Sequence, residues 1–153
     1  MPQNNCDTVK HIKFEILGDP KPKGRPRFAV RGSGKRSFAM AYTDKKTREA
    51  EQSFLTQALP HRPPAPIPHA INLLMWCGMP IPKSTSKKAK ALMESGQVCH
   101  TKRPDFDNLI KIIDALTGVF WIDDSQIYKI RFLKAYSQIP RTVIRIQWIE
   151  PNQ

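Results

Sequence analysis

The chain has no apolar run approaching the roughly 18–20 residues that a membrane-crossing helix needs. Its first residues, MPQNNCDTVK, lack the basic-then-apolar layout of a secretory signal. Cytoplasmic residence is the expectation that follows. Cysteine is scarce: Cys6, Cys77 and Cys99 are odd in number, far apart and without a CxxC pair, which argues against a disulfide framework and a structural zinc site. Cys99-His100 supplies two adjacent ligands, but no second cluster supplies the others. Acids are also few, 13 against 25 Lys and Arg, for a net charge of +12. Such an excess favours polyanionic partners, chiefly nucleic acid, through phosphate neutralisation and counterion release. What remains is ordinary for a globular chain: 153 residues, 40% hydrophobic and 25% charged, enough for one domain around one core.

The charges are unevenly placed. Ten of the 25 cations fall within residues 21–48, where Asp44 is the only acid, and five of the 13 acids fall within residues 105–124. A basic chain has gathered its carboxylates into one short region.

Residues 1–10 are polar and read as a flexible arm, leaving 11–150 as the domain. HIKFEIL, from His11, alternates apolar and polar residues as a strand does, with Ile12, Phe14 and Ile16 on one face. Gly18-Asp19-Pro20 ends it. Lys21 to Phe28 interleaves cations with Pro and Gly, a rigid basic loop rather than a helix. Gly32-Ser33-Gly34-Lys35-Arg36 reads as a hairpin tip or mobile loop. Thr43 or Asp44 is placed to cap a helix running to about Leu59, with Ala50, Phe54 and Ala58 at helical spacing. PHRPPAPIP is a connector, and AINLLMWCGM, from Ala70, a buried central strand. Ser84-Thr85-Ser86 introduces a short basic helix from Lys87 to Glu94, stopped by Gly96. Residues 126–136 and 142–149 alternate as strands around a turn at Pro140. The expected fold is a single compact α+β domain, with a mixed sheet of about four strands packed against two to three helices.

The segment from Lys102 to Gly118 carries the chemistry. Leu109, Ile112, Ile113 and Leu116 form a helical core stripe, Gly118 is placed as its C-terminal stop, and Asp107 is the expected N-cap. At about 100° per residue, Asp107, Lys111 and Asp114 share the edge opposite the stripe. Asp123 and Asp124 follow the apolar run Val119-Phe120-Trp121-Ile122, at a turn. Each acid has an innocuous reading on its own, as a cap, a solvated face residue or a turn residue. Together they repel unless something positive lies among them, and a divalent cation is the economical answer. Mg²⁺ suits oxygen ligands, keeps several waters and takes one or two carboxylates plus phosphate. Two such ions about 3.5–4 Å apart would clamp the attacking and leaving oxygens of a phosphodiester, with Lys111 steadying developing charge or positioning water. A calcium EF-hand loop from Asp105 would need Gly at Ile110 and Glu at Leu116.

The sequence resembles the RusA-type Holliday junction resolvases. The resemblance rests on Gly18-Asp19-Pro20 with Lys23-Gly24-Arg25-Pro26-Arg27, on Tyr42-Thr43, and on Lys102-Arg103-Pro104-Asp105-Phe106-Asp107-Asn108-Leu109-Ile110-Lys111. It continues through Asp114-Ala115-Leu116-Thr117-Gly118 and Ile122-Asp123-Asp124-Ser125-Gln126-Ile127, covering roughly residues 12–149. DxDN alone is weak, but DxDNxxK followed by DALxG and DDSQI is specific. The resemblance implies a small homodimer that binds four-way junction DNA in recombination and repair and nicks two strands symmetrically. It further implies Mg²⁺, with Mn²⁺ as a substitute, metal-holding acids at Asp105, Asp107 and Asp124, and a catalytic lysine at Lys111. Asp123 aligns with the less critical acid of its pair. Asp114 lies one position nearer the lysine than the family's usual spacing, which leaves its role open. Lys21, Lys23, Arg25, Arg27, Lys35, Arg36, Lys87, Lys88, Lys102 and Arg103 are the candidates for gripping phosphates, joined by Lys90. A resolvase would associate with the nucleoid when bound to DNA. The alternatives are a non-catalytic basic DNA-binding protein and a structure-selective nuclease of broader substrate range.

Overall fold

Alternation of apolar and polar side chains sets one face of a four-stranded sheet against the helices. In the computed structural model, which describes residues 7–151, the first strand is Thr8–Leu17 (β1). It begins earlier than the expected His11, and residues 1–6 of the expected arm, Cys6 included, lie outside the described residues. Ile71–Pro80 (β4), Ile127–Ser137 (β5) and Arg141–Glu150 (β6) complete the sheet, in the order β1-β6-β4-β5. The β1–β6 and β6–β4 pairs are antiparallel and β4–β5 is parallel, so the sheet is mixed as expected. The apolar run in β4 is explained by its central position, with both edges paired.

β5 and β6 follow one another through a short turn, yet β4 lies between them. The turn that hops over β4 is fastened by the Arg141 guanidinium, which donates to Ser137 Oγ at 3.2 Å and to the Ile139 carbonyl at 3.0 Å. Arg141 also covers the Trp76 ring, 4.9 Å from its centroid.

Lys45–Ala58 (α1) begins where Asp44 accepts a hydrogen bond from the Thr47 amide at 2.8 Å, which satisfies one orphan donor of the first turn. Lys87–Glu94 (α2) begins at Ser86, whose hydroxyl accepts from the Ala89 amide. Phe54 and Ala58 of α1 and the stripe Leu109, Ile112, Ile113 and Leu116 are all buried against Phe14, Leu73, Met75, Ile144 and Ile146 of the sheet. Cys77, also in the core, has its thiol pushed up to about 12 by burial, so it stays protonated and unreactive.

Three local features differ from the sequence reading. The basic region contains its own antiparallel ribbon, Arg27–Arg31 (β2) and Phe38–Tyr42 (β3), around the expected hairpin tip. The third helix, Phe106–Ile110 (α3), is capped at Asp105 rather than Asp107, which moves into the first turn. From Lys111 to Leu116 the chain winds as a tighter 3₁₀ helix. The β-branched Ile110, Ile112 and Ile113 weaken α-helical preference, so packing of the buried stripe decides the winding. Gly118, at φ +82°, supplies the expected stop.

Candidate active site

Asp105 caps α3 by backbone geometry alone, and its side chain makes no capping hydrogen bond. Its carboxylate is therefore not consumed by the helix it starts. Asp107 and Lys111 share one edge as the sequence predicts, with Lys111 Nζ 3.6 Å from Asp107 Oδ2 and both side chains about half exposed. The pair is four residues apart across α3, the spacing that brings side chains together on an α-helix, and the 3₁₀ winding begins only at Lys111.

Asp114 turns to a different partner. Its Oδ2 lies 3.1 Å from Lys23 Nζ, which also reaches Glu51 Oε1 at 3.0 Å. Burial by itself lowers the Lys23 pKa, but the bonds to Glu51 and Asp114 outweigh it and hold the ammonium above the ordinary lysine value. The Lys23 amide donates to the Asn108 carbonyl at 2.8 Å, and the Gly24 amide donates to Thr47 Oγ1 at 3.2 Å. A Cβ on Gly24 would stand 2.5 Å from that hydroxyl, so only glycine lets the loop lie this close to α1. Asp114 and Glu51 thus strap the basic loop to α1 and to the Asp107–Lys111 edge. In this arrangement two carboxylates, those of Asp114 and Glu51, offset the charge of Lys23.

Asp124 is oriented by its neighbours: Oδ1 accepts from Trp121 Nε1 at 2.9 Å and from the Thr117 hydroxyl. Trp121 is fully buried, so the donor is fixed by the core. Asp123 has a turn-forming role, bonded to the Ser125 hydroxyl and joined to Gln126 in a capping box. The Gln126 side chain accepts from the amides of Ile122 and Asp123, at 2.8 and 2.7 Å, and donates to the carbonyls of Ile67 and His69, at 2.7 and 2.9 Å. The sequence places Gln126 in the motif but assigns it no role of its own, although the Asp-x-x-Gln spacing is the signal for one. The sequence reading overlooks Lys134, which donates to the Lys102 and Pro104 carbonyls at 2.6 and 2.9 Å and so shapes the chain entering Asp105. No sequence signal pairs residues so distant.

The basic candidates divide into two groups. Lys21, Lys102 and Arg103 line one cleft of about 390 Å³ with His100 and Tyr136. A neighbouring cleft of about 410 Å³, which shares Pro80 and Pro82 with the first, is lined by Lys83, Lys87 and Lys90. Across the two adjoining clefts these cations, with Asp19 among them, mark a track from the approach to Asp105 to α2; Lys88 lines neither cleft. His100 is kept below its ordinary pKa by burial and by the Lys134 charge, so the ring beside this track is neutral at pH 7. Arg25, Arg27, Lys35 and Arg36 lie on the exposed loop and ribbon.

The family profile of endodeoxyribonuclease RusA matches residues 18–147, and the chain belongs to that family. It is by class a nuclease, a hydrolase of DNA. It is also 34% identical over 139 residues to the uncharacterized protein YqaN of Bacillus subtilis (strain 168), covering 89% of this chain and 95% of that one. No helix among the described residues is long and apolar enough to cross a membrane.

The donor chemistry suits a hard divalent cation. Asp105, Asp107 and Asp124 present oxygen ligands only, and the neighbouring Asn108 Oδ1 is buried without a hydrogen-bond partner. Among the described residues no three His, Cys, Asp or Glu side chains gather into a preformed metal cluster. Of these acids, Asp107 pairs with Lys111 and Asp124 accepts from Trp121 and Thr117.

Proposed function

We propose that this protein resolves Holliday junctions by Mg²⁺-dependent hydrolysis of phosphodiesters, acting as a homodimer in DNA recombination and repair. The observation that carries this reading is the exposed Asp107–Lys111 edge on the helix that Asp105 begins, with a basic loop strapped to the same helix, in a member of an endodeoxyribonuclease family. Asp105, Asp107 and Asp124 would hold the cation, with Mn²⁺ as a substitute. When bound, the cation supplies a nucleophilic water and charge neutralisation at the scissile phosphate. Lys111, oriented by its pairing with Asp107, steadies negative charge developing on the phosphate. Trp121 and Thr117 hold Asp124 in one orientation, as supporting groups do around metal ligands. Lys21, Lys102 and Arg103, continuing through Lys87 and Lys90, bind duplex backbone without reading sequence, and Lys88, Arg25, Arg27, Lys35 and Arg36 extend the grip. A two-fold dimer matches a junction with two equivalent strands to cut.

The test incubates purified protein with an end-labelled four-way junction and with linear duplex of the same sequence, in Mg²⁺ or in EDTA. Paired symmetric nicks in the junction, only with the cation, are expected. Binding without cation-dependent nicking would leave a non-catalytic DNA-binding protein. Equal cutting of linear duplex would leave a nuclease of broader range.

A further inference from the structure

The β2–β3 ribbon stands apart from the rest of the fold. It forms a separate two-stranded sheet. Its residues are exposed except Ala29, which is half-buried. The pairing Phe28↔Ala41 and Val30↔Ala39 puts Phe28 and Val30 on one face, 75% and 74% exposed, above two alanines. The other face carries Phe38, Met40 and Tyr42 between Arg27 and Arg31, and these three are also exposed. A lone two-stranded hairpin is marginal in water and has no reason to present bare aromatics unless a partner covers them.

The charges around the ribbon identify the partner. Arg27, Arg31, Lys35 and Arg36 surround the apolar side chains, with no acid between Asp19 and Asp44. Arg27 pairs at 3.4 Å with Asp44 at the root of the ribbon, whereas Arg31, Lys35 and Arg36 have no ion pair among the described residues. A second copy of so basic a ribbon would repel it, and an apolar protein surface would leave the cations unmatched. Nucleic acid satisfies both, since phosphates take the cations and base faces take the rings. Stacked duplex hides its base faces, while a branch point exposes them.

We propose that the β2–β3 ribbon is the branch-point sensor of this protein: Phe28 stacks on a base exposed where the arms meet, while Arg31, Lys35 and Arg36 hold the flanking phosphates. The ribbon then resembles in principle the apolar side chains that other proteins insert at opened base steps. This inference rests on the reading of branched DNA as the substrate.

The test measures binding of the full chain, in EDTA, to a four-way junction with 2-aminopurine at the branch point and to linear duplex. Phe28→Ala is expected to weaken junction binding about tenfold, within the range that one lost base stack costs. It should leave duplex affinity as it was and abolish the change in 2-aminopurine emission. Phe28→Trp should restore both, with quenching of its own fluorescence by junction. Equal weakening on junction and duplex, or no weakening on either, would overturn the proposal. So would loss of self-association in sedimentation velocity with the branch-point signal intact, which would make the ribbon a copy–copy contact. Cleavage is scored separately. A protein that binds and opens junctions without cutting keeps this inference and loses the nuclease reading. A protein whose Phe28→Ala form still binds and cuts junctions normally keeps the nuclease reading and loses this one.

Discussion

The acid-rich edge and the basic ribbon are held in opposite ways. Around Asp105 to Asp124, four of the five acids have partners that orient them: Lys111 for Asp107, Lys23 for Asp114, Ser125 and Gln126 for Asp123, and Trp121 with Thr117 for Asp124. The helical segment beneath them buries its apolar stripe completely. Among the described residues the ribbon is tied near its root, through Arg27 and Asp44 and through the strap at Lys23 and Gly24. Chemistry on a phosphate needs groups fixed to fractions of an ångström, and that demands a rigid support. The ribbon instead presents exposed cations and rings on a two-stranded sheet of its own.

The comparison can be broken at its rigid end first. Asp105→Asn and Asp107→Asn should each reduce metal-dependent nicking by more than about 100-fold, beyond the loss typical of groups that merely orient ligands. Their melting temperatures should stay near that of the parent chain, because neither carboxylate caps the helix. A normal nicking rate for Asp107→Asn would make that acid a surface residue. Next in size is Thr117→Val, which removes one donor to Asp124 with little change of shape. Nicking should fall about 10–100-fold, with junction affinity in EDTA preserved; a parallel loss of affinity would point to disrupted folding instead.

Smaller effects sharpen the contrast at the exposed, basic end. Lys35→Ala with Arg36→Ala should lower the slope of log affinity against log salt by about 2, one for each lost phosphate contact. It should weaken junction and duplex alike; an unchanged slope would remove both residues from the interface. Smallest is Lys23→Met, expected to cost about 1 kcal/mol or less in thermal stability, since the pair is partly exposed. Because its partners raise the Lys23 pKa, that contribution is fully present below the ordinary value of 10.5 and is lost as pH rises through the raised one. Melting curves of the two proteins should therefore converge only in strong alkali.

Much of this organisation is legible in the order of residues. The caps at Asp44 and Ser86, the central strand after Ala70, the stripe from Leu109 to Leu116 and the stop at Gly118 all follow from local preference and periodicity, which depend on near neighbours. The edge shared by Asp107 and Lys111 follows for the same reason. Asp105 rather than Asp107 is the cap because two aspartates two residues apart serve equally well there, and helix ends shift by one or two residues at little cost. The ribbon was legible only as a tip, because its strands bury no face that would impose a period on the sequence.

By itself, then, the sequence determined the elements, the core stripe, the clustering of acids in a basic chain and the motifs that mark the family. Only the tertiary structure decided which cation Asp114 pairs with, which strands flank β4, and how Lys21, Lys102 and Arg103 come to line one cleft. Those outcomes depend on contacts between residues far apart in the chain, such as Lys23 with Asp114 and Lys134 with the carbonyls before Asp105. No local pattern encodes such pairings; they appear only when burial of the shared core brings the segments together.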